Sequence, residues 1–127
     1  MVKFTDTPIV DRSKKTGSSV PEFVKISNSS ELPFNADHEF IILKVSLNSC
    51  PPCKSFKEEL EKTELKTPVT IFELNGPDDR DFCSKHEIRS VPFVVLFTKD
   101  GKKVNKGVCC SVSHLREMVR EGLSVEI

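Results

Sequence analysis

Cys50 and Cys53 are the residues whose type and spacing could do chemistry in this 127-residue chain, within Ser49-Cys50-Pro51-Pro52-Cys53-Lys54. Two thiols three positions apart can close a small disulfide ring and reopen it, the elementary step of dithiol–disulfide exchange. The run before them, Phe40 to Leu47, is almost continuously apolar and reads as a buried strand. The run after them, Lys54 to Lys62, reads as an amphipathic helix, with Cys53, Phe56 or Lys57, and Leu60 on one face. A strand-to-helix junction sets Cys50 at a helix N-terminus, where free amides and the macrodipole lower a thiol pKa from ~8.5 toward ~7 or below. Cys50 is therefore the expected nucleophile and Cys53, one turn inside the helix, the expected resolving thiol. Pro51 and Pro52 suit the first helical positions, whose amides have no intrahelical acceptor. They stiffen the ring but withdraw two N–H groups from the thiolate, leaving those of Cys53 and Lys54. No cofactor is required.

A second pairing is open at this level. Cys50-x-x-Cys53 followed by Cys83-x-x-His86 has ligand-like spacing for zinc. An iron–sulfur cluster shared by two copies is a variant of the same idea. Otherwise Cys83 and His86 read as packing residues of a short helix, and Cys109 and Cys110 as small core residues or an auxiliary thiol.

Lys plus Arg and Asp plus Glu both number 19, so the formal net charge is zero. That balance offers no electrostatic footprint for nucleic acid. The basic groups at Lys14-Lys15, Lys99 with Lys102-Lys103, and Arg116 with Arg120 read as solvated faces. No apolar run approaches the ~18 residues of a membrane span. Met1 to Asp6 has no apolar region of a secretory signal, and the cysteines number five, an odd count. A reducing, cytoplasmic setting and a monomer are expected.

Residues 1–20 are polar and read as a flexible extension before a single domain over 21–127. Within that domain Phe23–Ile26 is a strand candidate, and Ser29–His38 a weak helix interrupted by Pro33. Val69–Leu74 is a strand, Asn75–Asp78 a turn, and Asp78–His86 a short helix with an acidic first turn. Pro92–Phe97 and Val104–Val108 are strands joined by the Asp100-Gly101 hairpin turn. Ser113 is the expected cap of a last helix that buries Leu115, Met118 and Val119 and stops at Gly122. The order β-α-β-α-β-α-β-β-α predicts an α/β domain, a central mixed β-sheet flanked by helices on both faces.

That order, with Cys-x-x-Cys after the second strand, resembles the thioredoxin family over about residues 22 to 123. Val91-Pro92 stands 39 residues after Cys53, where thioredoxins carry a cis-proline facing the dithiol. Leu96 to Lys102 is similar to the family's hairpin. The resemblance implies a thioredoxin fold and a protein disulfide reductase acting on disulfide-containing protein substrates, recharged by a reductase or dithiol reductant. It implies that Ser49, Pro51, Pro52, Val91, Pro92, Val108 and Cys109 border the bound peptide. It also implies an adaptor as the alternative role, since the same fold serves for partner recognition.

The departures are specific. Thioredoxins usually carry Trp-Cys-Gly-Pro-Cys; here Ser49 replaces the tryptophan and Pro51 the glycine, giving the tryparedoxin dipeptide, and the chain has no Trp or Tyr. Six residues before the first cysteine the family has a buried aspartate that assists proton transfer at the second. Lys44 occupies that position, and Glu73 aligns with the family's lysine on the neighbouring strand. Lys44 and Glu73 are thus expected as an exchanged acid–base pair below Cys53, with a purely structural pair, or two side chains that reach solvent at opposite sides, as the alternative.

Overall fold

β2 (Phe40–Ser46) is the centre of the molecule because its side chains alternate between two covered faces, with only its end residues Phe40 and Ser46 part-exposed. Ile41, Leu43 and Val45 enter one core cluster, Ile42 the other. The structure is a computed structural model that describes residues 20–35 and 38–127. The expected N-terminal extension lies outside these residues except for Val20.

β2 pairs in parallel with β3 (Thr70–Asn75), which pairs in parallel with β1 (Glu22–Ile26). On its other side β2 pairs antiparallel with β4 (Phe93–Thr98), and β4 with β5 (Lys103–Val108). The mixed five-stranded sheet therefore runs β1-β3-β2-β4-β5. The hairpin between β4 and β5 turns at Gly101, whose φ of 96° lies in the left-handed region that glycine tolerates without strain.

One face of the sheet is covered by α1 (Pro51–Lys62) and α3 (Val112–Leu123), through Phe56, Leu60, Leu115, Met118 and Val119. The two helices are tied by the Val112 N–H, which donates to Glu59 Oε1 at 3.4 Å. The other face is covered by α2 (Arg80–Lys85) through Phe82, with Leu32 and Phe34. This is the thioredoxin fold anticipated from the sequence, with helices on both faces.

Three local expectations are corrected. Among the described residues of Ser29–His38, the expected helix is a single 3-10 turn, Ser29–Glu31. Pro33 supplies no N–H, and Asn35 takes a left-handed φ of 63° to donate its N–H to the Lys99 carbonyl. The last helix is capped by Ser111, which accepts from the His114 N–H, and not by Ser113. Burying Val112 draws the first turn two residues earlier. That helix also passes through Gly122 and stops at Ser124, whose φ is 58°. Gly122 serves a close approach instead, since a Cβ there would meet Asn105 Cβ at 3.1 Å.

On the α2 side, Asp79 caps the helix by accepting from the Phe82 N–H and also receives the Ser29 N–H, which pins the 3-10 turn to it. His86 closes α2. Its ring packs 4.3 Å from the Phe82 ring, it is 7% exposed, and its Nδ1 has no partner among the described residues. Burial, then the charges of Lys103, Lys85 and Lys106, hold the imidazole below its ordinary value of 6.5. The unfolded chain thus binds a proton more readily than the folded one, and stability contributed by neutral His86 is complete above pH 6.5 and lost as pH falls toward the depressed folded value. Urea midpoints measured down this range are expected to decline, and His86→Phe to flatten that slope.

Candidate functional site

Cys50 forms the N-cap of α1 with extended backbone angles, and its Sγ accepts the Cys53 N–H at 3.2 Å. Pro51 and Pro52 fill the next two positions, as the missing amides allow. With a Cα separation of 5.2 Å, Cys50 and Cys53 are joined as a disulfide. The helix start thus does two things: it brings the sulfurs together, and it aims the amide of Cys53 at the outer one.

Val91-Pro92 is a cis peptide facing this ring. The Val91 carbonyl oxygen lies 3.9 Å from Cys50 Sγ. The Cys109 N–H donates to the Pro92 carbonyl at 3.0 Å, which ties the β5–α3 loop to the same place. Ser49, Pro51, Pro52 and Val108 are exposed, and Val91 is half-buried. Cys109 is different: its side chain is fully buried and only its backbone reaches this rim. Burial pushes its thiol up to about 11, so it stays protonated at neutral pH. Cys110, its neighbour, is exposed.

Beneath the ring, Lys44 and Glu73 are register partners on β2 and β3. By the two-residue alternation both face α1, with Ile42 and Ile71. Lys44 Nζ donates to Glu73 Oε2 at 3.3 Å, with the residues 2% and 7% exposed. Burial lowers the Lys44 ammonium below its ordinary value, and the Glu73 charge opposes that drop. A third member was not anticipated as a charge: Lys57 Nζ donates to Glu73 Oε1 at 3.2 Å and lies 4.9 Å from the Phe23 ring centre. Its sequence signal was its position four residues after Cys53, one turn along the same helix face. Lys44, Cys53, Lys57 and Glu73 all line one open cleft of about 700 Å³, which Asn48 and Asn75 also border.

Cys83 and His86 lie on α2, on the opposite face of the sheet from α1. Cys83 Sγ is 3.6 Å from the Gly76 carbonyl, and burial followed by the Asp79 charge raises its thiol. Among the described residues no group of three or more His, Cys, Asp and Glu converges as metal ligands would. The four-residue zinc site allowed by the spacing is not assembled. Among the same residues no helix is long and apolar enough to cross a membrane.

A family model described as thioredoxin matches residues 22–121. Solved structures of similar architecture include a point mutant of the thioredoxin from Halobacterium salinarum, with a TM-score of 0.61 and 20% identity over 83% of this chain and 93% of that one. The thioredoxin of Malassezia sympodialis gives a TM-score of 0.62 and 19% identity over 80% and 93% of the two chains. Mitochondrial thioredoxin 3 from Saccharomyces cerevisiae, in its oxidised form, gives 0.59 and 19% over 75% and 91%. At these identities the structures speak to the fold alone.

Proposed function

The chain belongs to the thioredoxin family, and from that premise we propose that it is a thiol–disulfide oxidoreductase acting on disulfides of protein substrates. The observation that carries the reading is the Cys50–Cys53 disulfide at the N-terminus of α1, against Val91-Pro92. In the reducing direction the Cys50 thiolate attacks one sulfur of a client disulfide. A Cys50–client disulfide forms and the client's other sulfur leaves as thiolate. Cys53 then attacks Cys50 Sγ, the reduced client departs, and two electrons have passed to it. A dithiol reductant or a reductase returns the bridge to two thiols. The rim of Ser49, Pro51, Pro52, Val91, Pro92 and Val108, with the backbone of Cys109, is the proposed seat of the client backbone.

Resolution requires Cys53 to lose its proton. Glu73, at the cleft shared with Cys53, is the proposed acceptor, and Lys44 and Lys57 hold its two oxygens in place. Glu73→Gln is expected to slow turnover and to change its pH profile over about pH 6 to 9, by ~10-fold or more where proton transfer limits the rate. An unchanged profile rules the shuttle out and leaves the three charges a structural role.

Insulin reduction by dithiothreitol tests the activity. Acceleration that Cys50→Ser abolishes supports the oxidoreductase. A rate no faster than dithiothreitol alone supports the alternative, an adaptor that holds clients in the same groove. The three free thiols, Cys83, Cys109 and Cys110, support a reducing compartment such as the cytoplasm.

A further inference from the structure

Below Cys53 the charges do not cancel. Lys44 and Lys57 both address the single carboxylate of Glu73, so two positive charges less one negative leave a net charge of +1. Lys57 is one helical turn from Cys53, and Lys44 is all but sealed from solvent. Water and salt screen such a buried charge far less than a surface one. A disulfide is uncharged, whereas the reduced pair carries a thiolate. A positive charge nearby therefore stabilises the reduced form and leaves the oxidised form almost untouched. A buried carboxylate at position 44 would do the reverse.

We propose that the buried ammonium of Lys44 tips the Cys50–Cys53 couple toward its reduced, thiolate-bearing form, which makes the chain a stronger acceptor of electrons from client dithiols than it would be with a neutral residue at position 44. The proposal rests on the exchange chemistry above and shifts its balance toward the oxidising direction, whose steps are these. A client thiolate attacks Cys50 Sγ, a client–Cys50 disulfide forms, and the electron pair of the broken bond leaves on Cys53 as a thiolate beside the positive cluster. The client's second thiolate then attacks the client sulfur of that mixed disulfide. The client disulfide closes and Cys50 leaves as a thiolate at the start of α1. Two electrons move from client to chain, and the protons of the client thiols pass to solvent or to the new thiolates. A low-molecular-weight disulfide, such as oxidised glutathione, restores the bridge by the same exchange in reverse and is itself reduced to two thiols.

The test is an equilibrium, which separates it from the kinetic role of Glu73. The full chain is equilibrated with mixtures of reduced and oxidised glutathione at about pH 8.5, where thiolates are well populated. It is then quenched with acid, and the fraction bridged is read by alkylation and mass. Lys44→Met, with a net cluster charge of zero, is expected to make the bridge about tenfold harder to reduce, a shift of about 30 mV. The double variant Lys44→Met/Glu73→Gln restores the net charge of +1 and is expected to return to within about threefold of the native chain. In a Cys50→Ser background the Cys53 thiolate absorbance is expected to titrate about one pH unit higher with Lys44→Met than with Lys44. A cooperatively folded Lys44→Met variant whose equilibrium constant stays within about twofold of native overturns the proposal. Should that variant not fold, Lys57→Met removes the same charge from a half-buried position and must move the constant the same way, or the proposal fails. Failure of the native chain to exchange with glutathione at all overturns the oxidoreductase reading itself, a separate outcome.

Discussion

Cys50→Ser is expected to cut disulfide exchange by about three orders of magnitude or more, the scale on which losing the attacking nucleophile of a covalent mechanism falls. Serine keeps the N-cap, since its hydroxyl can still accept the Cys53 N–H, so α1 should form and the loss report chemistry. Cys53→Ser gives a different phenotype. Cys50 still attacks, but no thiol remains to break the resulting bond. The client then accumulates as a mixed disulfide on Cys50, resolvable only by added thiol. Mass spectrometry of the trapped species checks both variants at once and identifies the clients. Exchange that survives Cys50→Ser, or a mixed disulfide formed on the exposed Cys110, would place the nucleophile elsewhere.

Glu73→Leu is expected to destabilise the fold by about 3–5 kcal/mol, the range for removing one partner of a buried ion pair. The reason is an asymmetry between the two lysines. The Lys57 side chain is 33% exposed and can turn its ammonium to solvent, while that of Lys44 is 3% exposed and cannot. Without Glu73, Lys44 must either remain charged in a dry site or lose its proton. Lys44→Met costs less, because Glu73 keeps Lys57 as its counterion. Combining Lys44→Met with Glu73→Leu is expected to recover most of the loss, since the two residues touch and their effects are not additive. Urea unfolding of the four chains measures this directly. A Glu73→Leu loss below about 1 kcal/mol would show that Lys44 is not held as a buried ammonium in the fold.

Much of this was readable in the chain. The continuous apolar run at β2 and the Asp100-Gly101 turn announce themselves because strand burial and hairpin chirality constrain residue types locally. Cys-x-x-Cys followed by a helical stripe is local in the same sense. Ring closure between Cys50 and Cys53 involves four consecutive residues, and Pro51 and Pro52 predict the helix start by chemistry alone. The misreadings were also physical. The cap at Ser111 rather than Ser113 depends on whether Val112 finds a core to enter. The helix expected at Ser29–His38 lost to Pro33 and to the contact of Asn35 with Lys99, a partner far along the chain.

By itself, then, the sequence determined the dithiol, its place at the mouth of a helix, and the succession of strands and helices that supports it. Those are matters of neighbouring residues and of apolar periodicity. Tertiary structure decided which of two adjacent cysteines is sealed and which is open. It also decided which face of the sheet receives α2, removing Cys83 and His86 from the dithiol. And it set Lys57 on Glu73 opposite Lys44. That last juxtaposition joins three elements through the register of β2 with β3 and the crossing of α1 above them. Net charge beneath Cys53 follows from that meeting of distant residues, which no local pattern encodes.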